Sequence, residues 1–578
     1  MTTTRLLRAF ALSVTGVAFT LAVAQEKPLT AQQHYDHIQG IRHSLGEAIR
    51  GKAPARDETA TAVDKLKGLL EYMDRQDVRE LATGNIFLYA RRHDVLLDLA
   101  GAYARLGETE KALDALEGAQ ALFVVPGVSQ MIAAKSEYSS LRDEPRFKAL
   151  AGKAAMVDRV WNTPNIATPY REHLTLEERV AGLSLFWAEA RSHFVHFDNV
   201  PNLEWDKRYL EALSKVSAAG STHEYYDILM RFAPLLGDGH TNIYPPDELG
   251  DRFYSRPPIR TRLIEGKVLV TAVRSARLAE RVRVGDEVME VDGLPVGKHA
   301  EERVAPYVSA STPQDKALRT YTYQFLLGDA DKPIALKLRD AKGAERVETV
   351  SRTGYTDVQS PAQFAFRMTP EGVAVITLDH FESDAGVKAF EKALPDIMKS
   401  KALVIDIREN GGGSTSYGLN VLSYLTGEPI PVSKSFVRGE SALDLARGSA
   451  IFKWSEVAGS GRPHAQKRKE IFAGPVAVLV GPQTFSAAED FLVSFDSMKR
   501  GLIVGEATGD STGQPMQIKL PGGGSGRICI KRDVYPDGRK FVGKGILPTI
   551  EVKQTVAGLR DGRDPVLERA IQELTRAK

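Results

Sequence analysis

The stretch PVAVLVGPQTFSAAEDFLVSF, residues 475–495, combines an apolar strand, a short polar turn and an amphipathic helix. Its strand, residues 476–480, is entirely apolar, which is typical of a strand buried on both faces of a parallel sheet. Ser486 stands where the turn passes into the predicted helix, and Glu489 follows three residues later. A serine in this place either caps the helix or presents its hydroxyl for chemistry.

Strands and helices alternate along residues 360–553, which predicts an α/β core built on parallel strands. ALVIDI, residues 402–407, is another nearly all-apolar strand, and GLIVGE, residues 501–506, repeats the pattern. Before ALVIDI, residues 384–398 place apolar side chains at helical spacing. Residues 554–578 are predicted to form a C-terminal helix.

The first 24 residues have the pattern of a secretory signal peptide: Arg5 and Arg8, an apolar stretch, and small residues before position 25. We therefore expect an exported protein, periplasmic or extracellular. No later run reaches the roughly 18 apolar residues that a spanning helix needs, so no stable membrane span is expected after cleavage. The chain has one cysteine, Cys529, which is expected in a buried strand and cannot form an internal disulfide.

The chain has 578 residues, too many for one ordinary core, which predicts several domains. With 43% hydrophobic residues, 26% charged residues and a net charge of +2, it has the composition of a globular protein. This charge balance gives no electrostatic reason to expect a nucleic-acid partner.

Residues 26–155 are predicted to be helical, with Gly107 at a turn between two helices. Leu99, Tyr103, Ala112 and Leu116 fall at the signature places of a tetratricopeptide repeat, which this region resembles. Two interpretations stay open: a surface that binds a protein partner, and a helical spacer.

Residues 172–250 are predicted to be a helical segment that leads into the catalytic domain. Residues 256–352 then change to short alternating strands around VRVGDEVMEVDGLPV, residues 282–296, and resemble a PDZ domain. Such domains bind extended chain ends by adding a strand to a sheet. A purely structural β-domain is the alternative.

Two further segments carry candidate chemistry. DIRENGGG, residues 406–413, ends a buried strand in three glycines, whose backbone N–H groups can approach a ligand closely. It matches neither nucleotide fingerprint, and no cofactor is expected. GDGHTN, residues 237–242, confines His240 in a polar turn, where it is either a general base or a solvated loop residue.

A metal site is not expected. His193 and His196 are three residues apart, but no carboxylate or third ligand stands at supporting spacing, and an aromatic-rich helix face explains them better.

Taken together, the order Gly-His-Thr, PDZ-like domain, DIRENGGG, TFSAAEDF, VGEATG and GKGILPTI resembles the tail-specific, or C-terminal processing, serine peptidase family. The resemblance implies a multidomain chain. Its parts would be an α/β crotonase-like core, an inserted β-rich PDZ-like domain and an all-α tetratricopeptide-like N-terminal region. It also implies a peptide or protein substrate, read through its C-terminus in many members.

Within this family, Ser486 falls on the nucleophile, and the N–H groups of Ala487 and Gly412 fall on the oxyanion hole. Glu489 matches a carboxylate that supports the catalytic group of some members. The lysine base of one branch is missing, because no lysine occurs between Lys499 and Lys519. The chain is closer to the branch of the tricorn protease core and the interphotoreceptor retinoid-binding protein, which implies His240 as the base.

The acid that orients His240 stays unassigned, with Asp238, Glu489 and Glu506 as candidates. Val542 stands where family members carry a glutamate, and Thr549 where they commonly have an aspartate. Three hypotheses follow: an exported serine peptidase, a non-catalytic ligand- or peptide-binding protein on the same fold, and an adaptor acting through its helical repeats.

Overall fold

The computed structural model describes residues 29, 31–51, 54–83, 85–122, 134–161, 165–352, 363–449, 452–457, 459–510 and 513–576. The predicted signal peptide, residues 1–24, lies outside these ranges. The chain divides into two compact units, Met1–Asn162 and Thr163–Lys578.

The described part of the first unit consists of helices and their connections. The helices are α1 Ala31–Ser44, α2 Gly46–Arg50, α3 Arg56–Asp74, α4 Gln76–Thr83, α5 Ile86–Leu106, α6 Thr109–Leu122 and α7 Pro145–Trp161. Gly107 ends α5 with a φ of 79°, a left-handed conformation that glycine adopts without strain. The predicted turn between two helices is therefore present, and the resemblance to a tetratricopeptide repeat stays a prediction.

The second unit mixes helices and strands. The helices are α8 Leu176–His193, α9 Trp205–Ala218, α10 Thr222–Phe232, α11 Gly250–Phe253, α12 Ala276–Ala279, α13 Val296–His299, α14 Pro313–Leu318, α15 Ala385–Ile397, α16 Thr415–Leu422, α17 Ala442–Ala446, α18 Ala487–Ser497, α19 Val556–Arg560 and α20 Pro565–Arg576. Thr175 caps α8 by accepting the Glu178 N–H, and the helix ends at His193. His196 thus lies beyond the helix, and not on the helix face that the sequence suggested.

The strands of the second unit form several sheets. They are β1 Asn242–Tyr244, β2 Ile259–Ile264, β3 Lys267–Val273, β4 Glu287–Val291, β5 Leu294–Pro295, β6 Ile334–Arg339, β7 Glu345–Val350, β8 Phe364–Met368, β9 Val373–Leu378, β10 Ala402–Asp406, β11 Lys434–Gly439, β12 Lys453–Glu456, β13 Val476–Val480, β14 Leu502–Gly505, β15 Pro515–Lys519, β16 Ser525–Cys529, β17 Arg532–Val534 and β18 Ile550–Glu551.

The central sheet has the order β18-β14-β13-β10-β9-β8, with parallel pairs throughout except for the antiparallel edge strand β8. One face packs against helices through Phe390, Leu422 and Phe491. The other face is covered by α20, through Val566 and Leu574 among others. Burial on both faces explains why β10 and β13 are almost entirely apolar in sequence.

The remaining strands form antiparallel sheets. One has the order β2-β3-β4-β6-β7, with β5 paired to β4. Another has the order β12-β11-β17, and a third the order β1-β16-β15. The crotonase-like and PDZ-like classifications stay predictions.

Strand β1, which precedes the large antiparallel sheet in sequence, pairs with a strand that follows α18. It pairs antiparallel with β16, with Asn242 opposite Arg527 and Ile243 opposite Gly526. Because Asn242 follows GDGHT directly, this pairing brings the His240 turn onto strands that follow α18. Within the described ranges, no helix is both long and apolar enough to cross a membrane.

Leu479 of β13 is fully buried in the apolar layer between the central sheet and α20. Leu479→Ala should lower the free energy of unfolding of the core by about 3 kcal/mol, because it leaves a cavity that the rigid sheet cannot fill. Calorimetry should show a lower midpoint for the core transition. Leu547→Ala, at a side chain that is 69% exposed, should shift it little. Equal shifts in both variants would contradict this packing.

Candidate active site

Ser486 lies between the end of β13 and the first residue of α18. Its backbone has φ 57° and ψ −124°, a strained combination for a residue with a side chain. Ser486 occupies the N-cap position of α18, and the Glu489 side chain accepts the Ser486 N–H, as in a capping box. The cap position that the sequence left open is therefore occupied by Ser486, but its positive φ distinguishes it from an ordinary cap residue.

Buried hydrogen bonds hold the turn that carries Ser486. Thr484 Oγ1 donates to the Ile407 carbonyl at 2.9 Å and accepts the Gly481 N–H at 3.1 Å. The Phe485 N–H donates to the Asn410 carbonyl at 3.0 Å. The turn is thus fixed to the exit of the neighbouring strand β10, and this connection offsets the strain at Ser486.

His240 lies against Ser486. Its Nε2 is 3.2 Å from the Ser486 hydroxyl oxygen, although the two residues are 246 positions apart in sequence. The imidazole is buried and packs on the Phe485 ring, with 4.8 Å between ring centroids. Asp238 Oδ1 accepts the His240 N–H at 3.0 Å and the Thr241 hydroxyl at 2.8 Å, which fixes the turn. The contact has the geometry that proton transfer from serine to histidine requires.

The surroundings of His240 keep its imidazole neutral. Burial, followed by the charges of Arg527 and Arg319, lowers the pKa of His240 well below its ordinary value. A neutral imidazole has a lone pair on one ring nitrogen, which can accept a proton. At neutral pH this histidine is therefore in its base form.

Two of the predicted acids are close to the site, and the third has another partner. Asp238 belongs to the His240 turn, where it binds backbone and hydroxyl donors. Glu506 forms an ion pair with Arg262 at 2.5 Å. It also lines a different cavity from that of His240. This position does not favour Glu506 as the orienting acid, and the identity of that acid stays a prediction.

Glu489 is fully buried and supports the backbone around Ser486. Its Oε2 accepts the Ser486 N–H at 3.2 Å, and its Oε1 accepts the Thr508 hydroxyl at 2.5 Å and the Asp510 N–H at 3.0 Å. The carboxylate therefore connects the start of α18 to the 508–510 segment. These contacts support the predicted role of Glu489 as a residue that positions the catalytic group.

The glycine turn lies directly against Ser486. A Cβ atom at Gly412, where φ is 103°, would lie 2.7 Å from Ser486 Cβ and 3.0 Å from the Ala487 nitrogen, so only glycine fits. However, the Gly412 N–H already donates to Asn410 Oδ1 at 2.9 Å. Among the described contacts, the N–H groups of Ala487 and Gly413 donate to no acceptor. Gly413 is thus a second candidate beside the predicted Gly412.

Ser486, His240 and the glycine turn line a polar cavity of about 720 Å³. Arg319 and Lys531 line the same cavity. Burial alone would lower the pKa of Lys531, but the charges of Asp533 and Asp490 outweigh it and raise the pKa above its ordinary value. Lys531 is therefore charged and a poor base.

A second cavity, of about 780 Å³, is lined in part by Arg319, but neither Ser486 nor His240 lines it.

Sequence reasoning missed Asn410 and Asp510. Asn410 is fully buried, and its side chain bridges the Gly412 N–H and the Leu378 carbonyl. Asp510 has a φ of 65°, and its carboxylate accepts the Gly543 N–H. Both residues stand next to glycines after a predicted strand, Asn410 in RENGGG and Asp510 in GEATGDSTG. This pattern was the sequence signal that could have found them. A separate group of buried side chains does not line the Ser486 cavity: His196, Asp238 and Cys529.

Burial, followed by the Glu489 charge, raises the pKa of Asp510 to about 9. The folded chain therefore holds a proton that the unfolded chain releases near pH 4, so this group destabilises the fold increasingly as pH rises towards 9. Asp510→Asn removes this effect, and asparagine also tolerates positive φ well.

We expect Asp510→Asn to raise the free energy of unfolding at pH 8 by about 1 kcal/mol or more, the equivalent of one pKa unit, and by less at pH 5. Denaturant titrations at both pH values measure the difference. Asp561→Asn, at an exposed carboxylate, is the control and should show no such pH dependence. A destabilised Asp510→Asn variant at pH 8 would refute the assignment.

The chain resembles known proteins in sequence and in fold. The chain is 26% identical over 290 residues to the chloroplastic C-terminal processing peptidase of Tetradesmus obliquus, covering 47% of this chain and 54% of that protein. The chain thus spans about half the length of this relative.

The fold resembles mature CPAF complexed with lactacystin, with a TM-score of 0.55 and 16% identity over 69% of this chain and 98% of that one. It also resembles mature CPAF alone, with a TM-score of 0.54 and 16% identity over 69% and 96%. Residues 372–552 match the sequence profile of Peptidase family S41. The predicted resemblance to the C-terminal processing peptidases is therefore confirmed, and the match to Peptidase family S41 covers about a third of the chain.

Proposed function

We propose that the protein hydrolyses peptide bonds with Ser486 as nucleophile and His240 as general base. The observation that carries the proposal is the 3.2 Å contact between His240 Nε2 and the Ser486 hydroxyl, inside a polar cavity beside backbone N–H groups. The S41 domain supports the same reaction class.

In acylation, the Ser486 hydroxyl oxygen attacks the carbonyl carbon of the scissile peptide bond, and its proton passes to His240 Nε2. The tetrahedral intermediate then collapses. The C–N bond breaks, and the imidazolium returns the proton to the leaving amine. Water completes the cycle by hydrolysing the acyl ester, again with His240 accepting and then donating a proton.

The carbonyl oxygen becomes negatively charged in the intermediate. The N–H groups of Ala487, at the start of α18, and of Gly412 or Gly413 are the donors proposed to stabilise it. The positive end of the α18 dipole adds to this stabilisation. Arg319 and Arg527, whose charges disfavour a protonated His240, favour the negative oxygen in the same cavity.

The proposed substrate is a peptide or protein, and a cavity of about 720 Å³ has the size of an ordinary ligand site. Recognition of a substrate C-terminus by residues 256–352, and capture of a partner by the helical unit, are extensions of this proposal from the family resemblance. Export to the periplasm or the medium is a further extension, which rests on the pattern of residues 1–24.

Ser486→Ala should lower kcat/KM for peptides with free C-termini by at least about 10⁴-fold, because no other nucleophile replaces the hydroxyl. His240→Gln should cost a comparable factor, since it removes the base. The matched control, Ser416→Ala, removes an exposed hydroxyl outside the cavity and should keep full activity. Activity retained in Ser486→Ala would refute the mechanism.

A fluorophosphonate reagent separates the peptidase from a non-catalytic binding protein on the same fold. The reagent should phosphonylate Ser486, with loss of fluoride, and mass spectrometry should locate the adduct on that residue. Ser486→Ala should remain unlabelled. Absence of an adduct on the parent protein would favour the binding protein.

A further inference from the structure

Three side chains from distant parts of the sequence meet next to the His240 turn. A ring nitrogen of His196, a carboxylate oxygen of Asp238 and Cys529 Sγ all lie within 4.8 Å of one another. His196 follows helix α8, Asp238 belongs to the His240 turn, and Cys529 ends strand β16. All three side chains are buried, with at most 2% exposure.

The imidazole of His196 lacks a partner that its burial would require. Its Nε2 is inaccessible to solvent and has no hydrogen bond to any described residue. The ring contacts Phe194 edge to face, which satisfies neither ring nitrogen. A buried polar atom without a partner destabilises the fold, and a bound ligand would remove this cost.

We propose that His196, Asp238 and Cys529 form a binding site for a thiophilic divalent cation of the zinc class. Imidazole nitrogen, thiolate sulfur and carboxylate oxygen are the three donor types that zinc uses in proteins. The Lys531 carbonyl oxygen, 3.5 Å from Cys529 Sγ, supplies a fourth donor atom beside the group.

The spacing of the donor atoms fits such an ion. Bonds of about 2.0–2.3 Å to a tetrahedral zinc ion place the ligand atoms roughly 3.5 Å apart. Side-chain movements of about 1 Å would therefore bring the three atoms from their present positions to binding distance. Binding forms a metal–sulfur bond and releases the Cys529 thiol proton to solvent, so the site gains a net charge of +1.

The site is connected to the candidate catalytic base. Asp238 Oδ1 accepts the His240 N–H and the Thr241 hydroxyl, and Thr241 Oγ1 accepts the Cys529 N–H at 3.1 Å. Movement of the Asp238 carboxylate towards the cation would shift these hydrogen bonds and displace His240 Nε2 from the Ser486 hydroxyl. The cation therefore inhibits the reaction at Ser486. This second part rests on the proposed function.

Calorimetric titration of the full chain with zinc chloride tests the site itself. We expect one ion per chain, and cobalt(II) should give a thiolate-to-metal charge-transfer absorption. Cys529→Ser and His196→Asn should each lose this binding while keeping the metal-free unfolding midpoint. His193→Asn, at the exposed histidine that pairs with Glu189, is the matched control and should retain it. No stoichiometric binding, or unchanged binding in both variants, would overturn the proposal.

The rate of fluorophosphonate labelling at Ser486 tests the coupling. One equivalent of zinc should slow labelling of the parent about tenfold, because the base is displaced, and leave the Cys529→Ser rate unchanged. An unchanged rate in the parent, or equal slowing in both proteins, would refute the coupling. If the parent is not labelled even without zinc, the proposed function fails, whereas the titration still decides the metal site.

Discussion

The antiparallel pairing of β1 with β16 is the constraint on which the candidate site depends. Asn242 lies opposite Arg527, 285 positions later, and its side chain accepts the Arg527 guanidinium N–H at 2.8 Å. The pairing fixes the preceding turn, with His240, against the loop between β13 and α18. The Cys529 N–H adds a hydrogen bond to the Thr241 hydroxyl of the same turn. Without this three-residue strand, nothing in the central sheet would place a base beside Ser486.

Charge is arranged unevenly around this junction. Arg319, which is paired with Asp315 at 2.7 Å and stacked on Phe485, helps to keep the imidazole neutral. The Glu489 carboxylate, at the start of α18, is satisfied by hydroxyl and backbone donors. Because Arg319 comes from the segment between β5 and β6, the antiparallel sheet contributes directly to the cavity and is more than an attachment to the core.

Local patterns predicted the central elements well. The apolar runs of β10 and β13 and the glycine at the end of α5 are determined by neighbours in sequence, so their signals are readable. The GDGHTN turn and TFSAAEDF were recognised as a pair only through the family resemblance, because no spacing rule reports a strand pairing across 285 residues. The same limitation explains His196, whose ligand-type neighbours Asp238 and Cys529 are remote in sequence. Glu506, one of the three candidate acids and a residue of the VGEATG motif, pairs with Arg262 of another sheet, which its sequence neighbours do not indicate.

The wide separation of the two reactive residues has a consequence for biosynthesis. The ribosome must synthesise α18 before the turn that carries Ser486 can form. It must also synthesise β16 before β1 can pair with it and hold His240 against Ser486. An unfinished or unfolded chain therefore has no assembled dyad. The site would form only when β1 and β16 pair in the folded state.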